Sequence, residues 1–242
     1  MIQLIEELSL NAWPSLQTLW VDGWVLRFAN GYTKHANSIN PLYVSTNGVE
    51  AQIEFCEEIY RRNNLPVVFK MTAAAQPENL DALLDARGYI VDSPTSVQTM
   101  ELPDGDSSQD TRPDATLTEE WLAAFCRISA IDDTRKPTLH QMLTSIVPQK
   151  CFAAILQADQ IIACGLGVRQ GDYTGFYDIV TDKPFRQRGY GKRLMRSLLA
   201  WGKQNGARCA YLQVMLNNPP ALQLYAQLGF KEIYQYWYRI KR

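Results

Sequence analysis

Arg186-Gln187-Arg188-Gly189-Tyr190-Gly191 lies between the strand-like run Phe176-Tyr177-Asp178-Ile179-Val180-Thr181 and the helix-like repeat from Lys192 to Asn205. Glycines at 189 and 191 let backbone N–H groups turn toward one point, and the following helix aims the positive end of its dipole there. Arg186, Arg188, Lys192 and Arg193 add charge around it. The junction reads as a phosphate cradle, and a diphosphate is its natural guest.

Spacing removes two familiar phosphate loops. A P-loop needs a hydroxyl after its Gly-Lys pair, whereas Gly191-Lys192 is followed by Arg193, so nothing is placed for a magnesium ion. A dinucleotide fingerprint needs a third glycine where Leu194 stands. What remains is Arg/Gln-x-x-Gly-x-Gly/Ala. Downstream, Asn218-Pro219-Pro220-Ala221-Leu222-Gln223-Leu224-Tyr225-Ala226-Gln227-Leu228-Gly229-Phe230 reads as a helix with its own punctuation. Asn218 suits the cap, Pro219 the first helical position, and Gly229 a left-handed stop before a strand.

Both stretches resemble the GNAT superfamily of N-acetyltransferases, the first its acetyl-CoA loop and the second its Asn-x-x-Ala-x-x-Leu-Tyr-x-x-Leu-Gly-Phe signature. The resemblance implies an α/β (α+β) fold with a mixed, mostly antiparallel sheet flanked by helices. It implies that Arg186, Gln187, Arg188, Gly189, Tyr190, Gly191, Lys192 and Arg193 hold the pyrophosphate, with Asn218 and Tyr225 also at the coenzyme. Ile179, Val180 and Thr181 are carried over as main-chain contacts to the pantetheine arm, on a strand that splays from its neighbour. Tyr225 inherits the general-acid role, protonating the departing thiolate. Elementary chemistry agrees, because amine attack on a thioester needs a proton removed, an oxyanion stabilised and a thiolate protonated.

The general base is less defined. Many relatives place a glutamate earlier on the strand, but Thr174-Gly175-Phe176 offers no carboxylate. Asp178 is the nearest candidate, and strict alternation sets it on the face of Phe176 and Val180. A base acting through ordered water is equally compatible with the family.

The 242 residues carry a formal net charge of −1, so no global field draws the chain to nucleic acid or an anionic membrane. No apolar run reaches membrane-spanning length, and the N-terminus Met-Ile-Gln-Leu-Ile-Glu-Glu-Leu is acidic where a signal peptide is basic. A cytoplasmic protein, monomer or homodimer, is expected. Cysteines 56, 126, 151, 164 and 209 form no Cys-x-x-Cys pair, and the histidines are His35 and His140, so no metal site is expected.

Residues 102–117 are polar and rich in turn formers and divide the chain into 1–101, a linker, and a catalytic 118–242. After the linker, Thr116 and Glu119 form a possible capping box for a helix from Glu119 to Ala130. A helix from Thr138 to Val147 follows, then strands Cys151–Gln157, Ile161–Arg169, Tyr173–Thr181, Cys209–Met215 and Phe230–Ile240. The first part echoes this order: a strand over Asn37 to Tyr43, helix Val49–Asn63, strand Pro66–Met71, helix Asn79–Arg87 and a strand from Tyr89. Gly48 and Gly88 recur as Gly189 and Gly229, both 141 positions later. That offset sets Leu84 against Tyr225, and Ser45-Thr46-Asn47-Gly48-Val49-Glu50 against the phosphate loop without its positive charge. The first part thus resembles a smaller, degenerate GNAT-like half that serves as a structural partner, with Trp13, Trp20 and Trp24 as core or as cleft wall.

Asp132, Asp133, Tyr234, Tyr236 and Trp237 are candidate acceptor-lining residues, acidic and aromatic groups suited to a cationic amine. The expected activity is acetyl-CoA-dependent transfer directly to a primary amine of a small molecule or protein. A non-catalytic acyl-CoA-binding or sensing module is the alternative, kept open by the absent glutamate, and transfer of a longer acyl chain is a third.

Overall fold

The computed structural model describes residues 1–102 and 114–241, so most of the expected linker, 103–113, lies outside the described residues. The chain forms two compact units, one of Met1–Ser96, Met215–Asn217 and Tyr234–Arg242, the other of Val97–Val214 and Asn218–Ile233. The second unit therefore begins before the expected linker. The chain's last strand groups with the first unit because of its pairing, described next.

The first unit opens with α1 (Ile2–Ala12), β1 (Gln17–Val21), β2 (Trp24–Phe28) and β3 (Ile39–Asn40). It continues through α2 (Val49–Arg62), β4 (Val67–Thr72), α3 (Leu80–Ala86) and the start of β5 (Ile90–Glu101). β1, β2 and β3 pair antiparallel in sequence, and β3 pairs β4 in parallel at Ile39↔Phe69. The far edge of β4 takes the end of the chain, antiparallel, from Tyr236↔Thr72 to Lys241↔Val67. The strand expected over Asn37 to Tyr43 shrinks to Ile39–Asn40. The Asn37 side chain accepts the N–H groups of Ala29 (2.7 Å) and Gly31 (2.9 Å), and Pro41 has no N–H to give a ladder. α2 buries Gln52, Ile53, Cys56 and Tyr60 along one face, against Trp24, Leu26, Phe69 and Tyr89. Trp24 and Trp13 are buried, whereas Trp20 is exposed on β1. Glu6 and Lys70 form a buried ion pair, with Tyr234 donating to Glu6 at 2.7 Å.

The second unit contains α4 (Glu119–Ser129), α5 (Lys136–Thr144), β6 (Gln149–Gln157), β7 (Gln160–Gln170) and β8 (Tyr173–Thr181). It goes on with α6 (Tyr190–Gln204), β9 (Cys209–Met215), α7 (Pro219–Leu228) and the start of β10 (Lys231–Lys241). α4 is capped two residues later than the expected Thr116: Thr118 Oγ1 accepts the N–H of Trp121 at 3.1 Å. β6 and β7 pair antiparallel, as do β7 and β8, while β8 and β9 run parallel. On one face, Leu194, Met195, Leu198 and Trp201 of α6 pack with Cys151, Ala153, Ile155, Phe176, Tyr225 and Phe230. On the other, Trp121 of α4 stacks on Phe125, meets Phe152 edge-on and donates to Ala153 O at 3.0 Å.

Gly175 sits on the last rungs that β8 shares with β9, and a Cβ there would lie 2.5 Å from the ring and hydroxyl of Tyr211. The absence of a side chain lets Tyr211 cross β8 and meet the Tyr177 hydroxyl at 3.0 Å. Gly175→Ala is expected to cost about 1–3 kcal/mol through overpacking. Urea denaturation measures it, with Tyr211→Leu in the same chain returning part of the loss.

Candidate active site

β8 pairs β9 only from Tyr173↔Cys209 to Phe176↔Leu212, although β9 continues to Met215. Beyond Phe176 the two strands part, and Tyr177 to Thr181 have no ladder partner on β9. On its other edge β8 stays with β7, with a slip: Tyr177 faces Leu166 and Val180 faces Cys164, leaving Asp178 and Ile179 both opposite Gly165. This is a β-bulge, and Asp178 takes its left-handed conformation with φ 54°.

The bulge corrects the alternation expected from sequence. Ile179, not Asp178, joins Phe176 on the α6 face, its side chain lying over Gly165. Asp178 turns to the opposite face, where its charge is felt at the buried thiol of Cys164 together with those of Arg127 and Cys126. Its Oδ2 is shielded from solvent and has no hydrogen-bond partner among the described residues. Burial raises its pKa from the ordinary carboxylate range to about 8.

The loop after β8 is anchored before it turns. Arg127 of α4 pairs with Asp182 and donates to Ile161 O at 2.6 Å, and Asp182 N–H donates to Ile162 O at 2.8 Å. Arg186 turns back, its Nε donating to Thr181 O at 3.0 Å. The guanidinium of Arg188 lies 5.8 Å over the ring of Phe185, and that of Arg193 6.0 Å over Tyr190. Tyr190 in turn reaches the Gln157 side chain at 3.2 Å. Of the predicted cluster, Arg186 thus has its Nε committed to the strand end. Gln187 (φ 60°) and Gly189 (φ 81°) are left-handed, the alternation that gathers successive N–H groups into an anion nest ahead of α6. Lys192 lies in the first turn of α6, and a Cβ on Gly191 would meet Leu224 and Thr181 at ordinary distances of 3.5 and 3.7 Å.

α7 starts as its sequence predicts. Asn218 Oδ1 accepts Ala221 N–H at 3.4 Å, Pro219 opens the helix, and left-handed Gly229 closes it while Phe230 N–H returns to Tyr225 O at 3.1 Å. Tyr225 is buried in the α6-side cluster, edge-on to Phe230, and its hydroxyl has no hydrogen-bond partner among the described residues. Burial raises its pKa to about 12. Asp178 and Tyr225 therefore stand on opposite faces of β8.

Asp132, Tyr234, Tyr236 and Trp237, four of the acceptor-lining candidates, have other partners. Asp132 Oδ1 accepts from Thr134 N and Arg135 N, both at 3.0 Å, in the turn before α5, and the Thr134 hydroxyl foremost lowers its pKa. Trp237 Nε1 donates to Asp81 at 2.7 Å within the first unit, where the Tyr236 ring lies 4.1 Å under Lys70.

The model of a family described as "Probable histone acetyltransferase Rv0428c C-terminal" matches residues 1–239. The chain belongs to this family of acetyltransferases. It is 29% identical over 247 residues to the "Uncharacterized N-acetyltransferase YobR" of Bacillus subtilis (strain 168), covering 100% of this chain and 99% of that one. Among solved structures, a GCN5-related N-acetyltransferase from Kribbella flavida is similar with a TM-score of 0.70 and 14% identity, over 99% of this chain and 95% of that chain. A tandem GNAT protein from the clavulanic acid biosynthesis pathway is similar with a TM-score of 0.64 and 14% identity, over 79% of this chain and 69% of that one. The fold is that of the GNAT N-acetyltransferases, which implies an acyl-CoA and an acceptor as substrates. Among the described residues no His, Cys, Asp and Glu group is arranged to hold a metal ion, and no helix is long and apolar enough to cross a membrane.

The residues present fit a coenzyme: parted strands for an extended arm, and an N–H nest for phosphates at the end of β8. Gly191→Asp is expected to keep the wild-type melting temperature, since its Cβ has room, and to lose coenzyme A binding to the added charge. Calorimetric titration measures this, and undiminished uptake would place the phosphates elsewhere.

Proposed function

We propose that the second unit transfers an acetyl group from acetyl-CoA directly to a primary amine, with Asp178 as the base and Tyr225 as the acid. The observation that carries this reading is the bulge, which turns a carboxyl with a shielded oxygen, without a hydrogen-bond partner among the described residues, to the α4 face of β8 along the stretch that has left β9. A carboxyl held near neutrality removes a proton from an ammonium far more effectively than an ordinary one. The amine nitrogen attacks the thioester carbon as its proton passes to Asp178, directly or through water. The carbon–sulfur bond then breaks as Tyr225 gives its proton to sulfur, and the tyrosinate is restored by the second proton that nitrogen releases, leaving amide and free thiol. A phenol with its pKa near 12 is protonated at every working pH, as a donor must be. The placement of base and acid on opposite faces of β8 suits a reaction in which the nucleophile arrives on one side and the thiolate leaves on the other.

The coenzyme arm runs along Ile179, Val180 and Thr181, and its diphosphate sits on residues 186–193, with Asn218 holding the start of α7 beside them. The acceptor is a small-molecule or protein amine. The family description, which names a histone acetyltransferase, favours a protein lysine. The first part of the chain, residues 1–101, most of which lies in the first unit, is a degenerate GNAT-like half. α2 and α6, and β5 and β10, start 141 residues apart, in keeping with the glycine offset.

Two variants separate enzyme from sensor. Tyr225→Phe is expected to lower kcat by about 100-fold with coenzyme affinity unchanged. The wild-type rate should climb about tenfold per pH unit below the Asp178 pKa of about 8 and level above it, because the protonated carboxyl accepts nothing. Asp178→Asn should abolish that limb. Intact coenzyme binding without turnover across an amine library would instead indicate the non-catalytic acyl-CoA-binding reading.

A further inference from the structure

At the 141-residue offset, Thr46, Asn47 and Gly48 of the first unit stand where Gln187, Arg188 and Gly189 stand in the second, immediately ahead of α2 and α6. The backbone differs, since Gly189 is left-handed and Gly48 extended. The chemistry at this position is still that of an anion nest, and the nest is full. Asp22, in the turn between β1 and β2, places its carboxylate there. Oδ2 accepts the N–H groups of Thr46 and Asn47, both at 2.8 Å, the Ser45 hydroxyl at 2.6 Å and the Asn47 side-chain amide at 2.8 Å. Oδ1 accepts the Thr46 hydroxyl at 3.0 Å. Gln52 of α2 fixes the same turn from below, donating to Val21 O at 2.9 Å and Asp22 O at 3.1 Å.

From these contacts we infer that Asp22 is an internal substitute for phosphate, closing the first unit's counterpart of the coenzyme loop so that the chain takes up one coenzyme and not two. Two backbone N–H groups and three side-chain donors converge on one carboxylate, the same kind of donor set that a phosphate oxygen takes at a nest. The loop also lacks any cation to compete for a diphosphate: Ser45 to Val49 is uncharged and Glu50 follows. The carboxylate is held as an anion. The Ser45 hydroxyl foremost, then the Asn47 N–H, lower its pKa from 3.8 to about 2. A depressed carboxyl stabilises the fold above its ordinary pKa, and that contribution is lost as pH falls through about 2.

The inference rests on reading Arg186–Gly191 as the diphosphate loop, and the test keeps the two apart. Titration of the wild-type chain with coenzyme A is expected to give one site per chain. Two sites would overturn the inference, whereas no uptake would sink the reading of the second unit and leave the next arm to decide. In the Gly191→Asp chain, which has no working second-unit loop, inorganic pyrophosphate should leave the melting temperature unchanged. With Asp22→Gly added, pyrophosphate should raise it, because an anion now binds the folded state at the vacated N–H groups. If the glycine variant does not fold, Asp22→Ala, which likewise removes the acceptor oxygens, carries the same readout. A pyrophosphate response with Asp22 intact, or none once it is replaced, overturns the proposal.

Discussion

A strand inside a sheet owes hydrogen bonds on both edges, and β8 meets that obligation on the β9 side only as far as Phe176. Everything at the site follows from the place where it stops. β9 does not end there, so the two strands diverge in space with main chain facing the gap between them. The hydroxyl contact between Tyr177 and Tyr211 stands at the fork, and Gly175 gives Tyr211 room to reach it. One residue further on, the bulge against β7 shifts the pattern of faces and directs a carboxyl to the α4 side while an isoleucine fills the core on the α6 side.

The ends of the gap are fixed by different means. At the loop, Arg127 and Arg186 serve main chain and a neighbouring carboxylate, so their charges tie down the path by which β8 enters the nest. At α7, an asparagine cap and a left-handed glycine set the length of a short helix whose tyrosine is buried but unbonded. Positive charge near a loop is therefore an incomplete guide to what holds a phosphate, since part of it is spent on structure and the rest of the attraction lies in N–H groups.

Local punctuation was legible in the sequence wherever a residue has a single structural use. Asn218, Pro219 and Gly229 announce α7, and β8 and β9 fall on Tyr173–Thr181 and Cys209–Met215 as their periodicity indicates. The expected cap at Thr116 fell two residues early because Thr118 offers the same chemistry closer to α4. The side on which Asp178 lies was not legible, because alternation fails where a bulge inserts an extra residue. A signal was present all the same: aspartate is a poor strand former and tolerates left-handed backbone, so its appearance among aromatic and β-branched neighbours marks a break in the ladder. α1, β1 and β2 carry no comparable signature, and the partners of Trp237 and Tyr236 depend on pairing across more than 150 residues of chain, as in the Trp237 bond to Asp81.

That late pairing bears on how the molecule is made. Tyr236 to Lys241 complete the far edge of β4, and Arg239 bonds both Asp81 and Asp85 of α3. The ribosome releases these residues more than 160 positions after β4. The amino-terminal unit, although most of it is synthesised first, waits for Tyr236 to Lys241 before its sheet is finished, so folding in order of synthesis is denied to it. Until then, the open rim of β4 presents unpaired N–H and C=O groups, a template for pairing with another chain.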